Sequence, residues 1–166
     1  MNPDHALLLD FLRATTGASA IAPWPVHSNA LAQELGTTLI AADAEAGTLT
    51  LGFAPGARFV QGNGAVQGGI VTAMLDFAAA FVVLMKLPPE RAAVTAALDV
   101  QFLRAARAGK FIAKASIKRL GATLAFAGAE LRSVDDGALC ASASAVLPLV
   151  KLVRGITSAG GPGPPA

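Results

Sequence analysis

Gly68-Gly69-Ile70-Val71-Thr72-Ala73-Met74-Leu75-Asp76-Phe77-Ala78-Ala79-Ala80-Phe81-Val82-Val83-Leu84-Met85-Lys86-Leu87 is the stretch that decides the fold. From Gly69 to Leu87 almost every position is apolar, the glycine pair opens the run, and Pro88-Pro89 ends it. A helix apolar on all sides either crosses a membrane or fills the middle of a globular core. Asp76 argues against the membrane, because a charge at the centre of a span costs about 2.5–3.5 kcal/mol on insertion. The segments that follow have a soluble β pattern and contain no second span. The run is therefore predicted to be the buried helix of a globular core.

Downstream, four strands are predicted with little between them. Val94–Leu103 alternates with Val94, Ala96, Leu98, Val100 and Phe102 on one face. Lys110–Arg119 sets Phe111, Ala113, Ala115 and Ile117 against Lys110, Lys114 and Lys118. Thr123–Val134 and Leu139–Leu149 are joined by Asp135-Asp136-Gly137, a hairpin signal. Upstream, Asn2-Pro3-Asp4 reads as a capped helix start, followed by an apolar stripe of Leu7, Leu8, Phe11 and Leu12. Residues 18–33 read as an irregular connection, and Thr37–Ala42 and Thr48–Phe53 as strands turning through Ala46-Gly47. The expected class is α+β, a single domain over residues 1–154 in which an antiparallel sheet curls around the apolar helix. The Gly/Pro-rich tail, 155–166, is expected to be disordered.

Composition narrows the function classes. Hydrophobic residues make up 54% of the 166 and charged residues 14%, so one folded copy is short of polar surface. A second subunit would cover the excess. The net charge of +2 is too small for a nucleic-acid groove, but residues 100–166 hold nine Lys/Arg against three acids. That basic half suits a small polyanion such as a nucleotide-bearing group; solvated strand edges account for part of it. Cys140, the only cysteine, cannot form an intramolecular disulfide and reads as a buried thiol. The N-terminal residues lack a basic signal-peptide region, which points to a cytoplasmic protein.

The chemistry concentrates between Gln61 and Asp76. Glycines at a helix start leave backbone N–H groups open to a ligand and can polarise a carbonyl. They equally permit close helix–sheet packing. Asp76 has Gly69, Thr72, Ala73, Ala79, Ala80 and Val83 as helical neighbours, with no cation among them. Its carboxylate faces either solvent or a cavity in which it could act as base or nucleophile. His5 and His27 lie off every motif and are expected at the surface. No His/Cys/Asp/Glu set has metal-ligand spacing, so no metal is implied. Arg104, Arg107 and Lys110 flank a turn, either as phosphate ligands or as solvated loop charge.

A Gly-Gly pair opening an apolar helix with an acid two turns later resembles hotdog-fold thioesterases of the phenylacetic-acid-degradation type. Val94-Thr95-Ala96-Ala97-Leu98-Asp99-Val100-Gln101-Phe102-Leu103-Arg104 is similar to the strand by which those proteins enter F-L-R-P. The resemblance spans about residues 35–150. It implies an acyl-CoA substrate, with CoA part of the substrate and no separate cofactor, and a homodimer or a dimer-of-dimers tetramer. It implies Asp76 as the catalytic carboxylate, the Gly68 N–H and the Gln61 amide as holders of the thioester oxygen, and Thr95 as an aid in orienting water. Gln67 and Gly69 would touch the substrate, and Arg104, Arg107 and Lys110 the CoA phosphates. The chain departs from the family at Gln67, where a histidine is usual: glutamine donates a hydrogen bond but does not titrate.

Gly68 and Asp76 are eight residues apart, so a helix sets them roughly 12 Å apart along its axis. One chain struggles to bring both to one carbonyl, whereas an antiparallel helix from a two-fold partner would. The expectation is an acyl-CoA thioesterase with a site shared between subunits. The alternatives are a hotdog protein that binds acyl-CoA or an acyl carrier without turnover, and an interaction subunit that keeps only the fold.

Overall fold

In the computed structural model, which describes residues 2–15 and 22–152, the chain runs α1 (Pro3–Thr15), β1 (Trp24–Pro25), α2 (Ala30–Glu34), β2 (Thr38–Asp43), β3 (Thr48–Phe53), a 3-10 turn (Ala57–Phe59), α3 (Gly68–Leu84), β4 (Arg91–Ala93), β5 (Ala97–Phe102), β6 (Phe111–Leu120), β7 (Leu124–Ser133) and β8 (Leu139–Lys151). The strands form one antiparallel sheet in the order β1-β2-β3-β6-β7-β8. The far edge of β8 is shared, with Ala141–Val146 pairing β5 and Leu149–Lys151 pairing β4. The predicted tail, 155–166, lies outside the described residues.

Local chemistry sets the element ends. The Asn2 side chain accepts the Asp4 N–H at 2.9 Å and opens α1. In the β2–β3 turn the Asp43 carboxylate accepts the Ala46 N–H at 2.8 Å, and Gly47 takes a φ of +65° that a side chain would resist. Gly137 does the same at +68° between β7 and β8. The expected irregular connection over 18–33 instead holds β1 and the short α2. Asn29 caps α2, accepting the Leu31 and Ala32 N–H groups at 2.9 and 3.3 Å. Five residues are too few for apolar periodicity to reveal such a helix.

The sheet curls around α3, which packs on β3, β6, β7 and β8. Val71, Met74, Leu75, Ala78, Ala79, Phe81, Val82, Val83 and Leu84 are buried, around most of the helix circumference. Facing them are Ala113 and Ala115 of β6, Ala125, Ala127 and Ala129 of β7, and Ala141, Ala143 and Ala145 of β8, all buried. Alternation with period two puts these small residues on one face and Lys114, Glu130 and Ser144 on the other. The alanine content thus lets a helix lie close against three central strands. Among the described residues no helix is long and apolar enough to cross a membrane.

Of the expected strand Val94–Leu103 only Ala97–Phe102 forms β5, residues 94–96 being an irregular step that follows a short strand not expected, β4 (Arg91–Ala93). Its apolar face is largely uncovered: Val94 is 52% exposed and Phe102 58%, with Leu98 and Val100 half-buried. The reason is position, since β5 pairs only β8 and forms an outer edge. Cys140 is buried and free, as expected.

His5 is a correction. It is 0% exposed, packed on the inner face of α1 beside Leu8, and neither ring nitrogen finds a hydrogen-bond partner. Helix α1 lies against α3 and β2, with Phe11 edge-on to Trp24 at 5.6 Å, so its third residue, His5, is core although it sits near the terminus. Burial holds the His5 pKa below the ordinary 6.5, opposed in part by the Leu87 carbonyl and Glu90. The folded chain therefore binds fewer protons at His5 than the unfolded chain. Stability present above the unfolded pKa is lost as pH falls through it towards the lower folded value. The melting temperature, followed by circular dichroism, should drop between about pH 7.5 and about pH 5.5. His5→Leu should flatten that part of the slope; an undiminished slope would place the acid sensitivity elsewhere.

Candidate active site

The segment leading into α3 is tied down by its backbone. Gln61 N–H donates to the Ala65 carbonyl at 2.8 Å and Gly64 N–H to the Gln61 carbonyl at 2.9 Å, closing a tight loop with Gly64 at a φ of +78°. The Asn63 side chain accepts the Ala65 N–H at 3.1 Å. The β5–β6 connection is laced onto this loop. Val66 N–H donates to the Ala106 carbonyl at 2.7 Å, Ala108 N–H to the Gly64 carbonyl at 3.1 Å, and the Arg107 guanidinium to the Asn63 carbonyl at 3.2 Å. Gln67 is anchored by its N–H on the Phe59 carbonyl at 2.9 Å, and its own carbonyl accepts the Ile70 and Val71 N–H groups.

Helix α3 then begins with Gly68 and Gly69, whose N–H groups have no acceptor among the described residues. The Gln67 side chain makes no cap. Two open donors at the positive end of a 17-residue helix form a receptor for a carbonyl oxygen or an anion. Beside Gly68 a cavity of about 370 Å³ is lined by Val66, Val71, Phe102, Leu103, Arg104 and Ala106, among others. A Cβ on Gly68 would stand 3.5 Å from the Phe102 ring, so that ring lies directly against the helix start.

Asp76 lies two turns on, half-buried, and accepts a hydrogen bond from the Thr95 hydroxyl at 2.7 Å. Thr95 falls in the irregular step between β4 and β5, flanked by Val94 and Ala96, whose N–H groups donate to β8 carbonyls. A hydroxyl donating to a carboxylate fixes its orientation and leaves the second oxygen for a proton or an electrophile.

The other expected residues divide. Arg104 lines the cavity while pairing with Asp136 at 3.2 Å, on the surface. Arg107 serves the Asn63 carbonyl and so holds the loop. Lys110 lies outside the cavity lining, with its carbonyl accepting the Val134 N–H at 2.9 Å. The Gln61 and Gln67 side chains are exposed and take no part in hydrogen bonds among the described residues. Phe102 and Val71 were not singled out as site residues from the sequence. Their signal was the alternation of β5 and the apolar start of α3, which reads as core until folding sets both against Gly68. A larger trough of about 550 Å³ on the outer sheet face, among Thr48, Lys114, Ser116 and Ser144, contains neither the open donors nor Asp76. Among the described residues no cluster of His, Cys, Asp and Glu is placed to hold a metal.

Residues 63–140 match the family model of the thioesterase superfamily. A phenylacetic acid degradation-related protein of Ralstonia eutropha JMP134 shares this structure with a TM-score of 0.70 and 33% sequence identity, over 83% of this chain and 98% of its own. The chain belongs to the thioesterase superfamily. The reaction class that goes with that membership is thioester hydrolysis, and the sheet wrapped on α3 is the hotdog fold. Two further structures share the fold: a Haemophilus influenzae thioesterase (TM-score 0.69, 22% identity, 76% of this chain and 87% of that one) and the Escherichia coli PaaI protein from the phenylacetic acid degradation operon (TM-score 0.68, 19% identity, 90% and 95%). No curated protein matches the chain.

The Thr95–Asp76 contact yields a test. A hydrogen bond to a charged group is worth about 1.5–3 kcal/mol. Thr95→Val should lower thioester turnover by about 10- to 100-fold, and Thr95→Ser, which keeps the donor, should restore most of it. Equal rates in the valine variant and the wild type would remove Thr95 from the site.

Proposed function

We propose that this thioesterase hydrolyses an aromatic or medium-chain acyl-CoA to the free acid and CoA, in a site built by two copies of the chain. The observation that carries the reading is the placement of complementary groups on α3. Open N–H donors beside an apolar cavity stand at its start, and an oriented carboxylate stands eight residues later, roughly 12 Å along the axis.

The β5 edge supports the pairing of copies. It is an unpaired strand edge with exposed apolar side chains, which in isolation invites strand addition. A two-fold axis normal to the sheet, crossing β5 near Leu98 and Asp99, would make β5 antiparallel to its copy. Thr95 of one chain would then lie beside residues 101–103 of the other. Asp76 of one chain thereby approaches Gly68 of the other, since Phe102 lies against Gly68. The covered edge would also account for a composition too apolar for a single copy.

In the proposed reaction the thioester oxygen accepts the Gly68 N–H, with the adjacent Gly69 N–H and the helix dipole adding to the field. Asp76 of the partner subunit takes a proton from water as its oxygen bonds to the carbonyl carbon. The oxyanion so formed strengthens its bond to Gly68; such a donor is worth about 2.7–4 kcal/mol in the transition state. Collapse breaks the C–S bond, and the thiolate of CoA takes the proton from Asp76. A nucleophilic Asp76 would give the same products through an anhydride that water then opens. Arg104, exposed at the cavity mouth, is the nearest cation for the CoA phosphates. A cytoplasmic setting fits the single free Cys140.

Asp76→Asn keeps shape and removes basicity, so thiol release should fall by about 10²-fold or more in a protein with unchanged melting temperature. Wild-type-like hydrolysis would sink the assignment. Absence of thiol release by the wild type, with CoA still raising its melting temperature, would favour the non-catalytic binder.

Sharing of the site is tested by complementation. Gly68→Pro deletes the N–H donor at a helix position where proline is favoured. Mixed with Asp76→Asn under subunit exchange, it should regain activity, up to about half of wild type per mixed dimer, because one site in each is intact. Exchange seen by mass spectrometry without any recovery would confine each site to a single chain.

A further inference from the structure

The cavity beside Gly68 has a wall that the hydrolytic reading leaves unused. Phe102 ends β5 with its ring against Gly68, its Cε1 and Cζ 3.5 Å from where a Cβ would be. At that distance a side-chain methyl at position 68 would make ordinary van der Waals contact with the ring, so the ring and the helix start are close neighbours. The rest of that ring borders the cavity, and it is 58% exposed in the single chain. Val71, one turn into α3 and 3% exposed, lines it as well, with Val66 at 4% and Ala106 at 5%. The lining side chains are therefore apolar but for Arg104, and the lining includes Gly68 of the open helix start.

Resting on the acyl-CoA reading, we infer that this cavity receives the acyl group and that Phe102 is the residue selecting which acyl groups enter. Size sets the first limit. A volume of about 370 Å³ corresponds to roughly a dozen water-sized groups at about 30 Å³ each. An aryl-acyl group or a chain of about eight carbons fits within that limit, whereas a chain of about sixteen carbons does not. Shape sets the second. An aromatic wall beside the carbonyl-binding N–H favours a second ring at offset or edge-on distance over a straight chain of equal area. Phe102 is thus a specificity residue: it touches the acyl group and takes no part in bond making.

The test compares kcat/KM for phenylacetyl-, octanoyl- and hexadecanoyl-CoA in the wild type, Phe102→Leu, Phe102→Ala and Val71→Phe. The ratio between two substrates in one preparation does not depend on how much of the variant folds, and the mass of each variant in solution checks its assembly. The wild type should prefer the first two substrates to hexadecanoyl-CoA. Phe102→Leu should lower the phenylacetyl-to-octanoyl ratio by about 10-fold, Phe102→Ala should shift the optimum to longer chains, and Val71→Phe to shorter ones. Efficient use of hexadecanoyl-CoA by the wild type, or active Phe102 variants with the wild-type ratio within about twofold, would overturn the inference. The second result leaves the proposed function standing, and the first leaves thioester hydrolysis standing while removing its aromatic or medium-chain preference. A wild type that releases no thiol from any acyl-CoA would refute that reading instead.

Discussion

Everything in this molecule follows from the need to enclose a helix that is apolar nearly all round. No single flat sheet can cover such a helix, so the strands must curl, and they must carry small residues where the helix presses closest. The buried alanines of β6, β7 and β8 meet that requirement. Three strands of ten or more residues form the centre of the sheet, and the shorter β1–β5 complete the curve. What the sheet leaves open is one stripe of α3, running through Gly69, Thr72, Ala73, Asp76, Phe77 and Ala80, where burial is incomplete. The stripe has the three-and-four spacing of one helical face, and the chemistry lies along it.

The same constraint explains how a carboxylate comes to sit in a hydrophobic helix. Asp76 lies on the open stripe and meets Thr95 where the outer strand breaks step at 94–96. A continuous strand there would hold Thr95 in the ladder geometry of its neighbours. The interruption separates β4 from β5 without costing the sheet its order, because Val94 and Ala96 N–H groups still donate to the Pro148 and Val146 carbonyls at 3.0 and 2.9 Å. The irregular step is thus confined to residues 94–96, with Thr95, the partner of Asp76, at its middle.

Most of the architecture was legible in the sequence because period-two alternation and an uninterrupted apolar run are strong signals. The α3 run and the strands that became β2, β3, β6, β7 and β8 lie within a few residues of their expected limits. The family resemblance marked Thr95 as an aid in orienting water; its hydrogen bond to Asp76 is visible only in the fold. What escaped reading depends on tertiary neighbours. His5 looks like a surface residue near a terminus until α1 folds onto α3. Arg107 reads as a phosphate ligand or a solvated loop charge, and only the fold shows its guanidinium donating to the Asn63 carbonyl. Phe102 looks like one more core residue of an alternating strand until β5 proves to be an edge and its ring comes to rest on Gly68.

Strand β8 pairs β7 over residues 139–148 on one side, and β5 over 141–146 and β4 over 149–151 on the other. Its middle residues, 141–146, therefore sit between two ladders, whereas the two residues of β1 hang from β2 alone. Local opening is cheapest where few ladder bonds are lost, so the chain divides into layers of unequal persistence. The N-terminal rim can exchange its amide protons through small excursions, and the β8 amides wait for the whole sheet to part. Since β5, which bears Phe102, hangs from β8, the wall of the cavity beside Gly68 is tied to that more persistent layer. Fraying at the β1 rim leaves the spacing between Phe102 and Gly68 undisturbed.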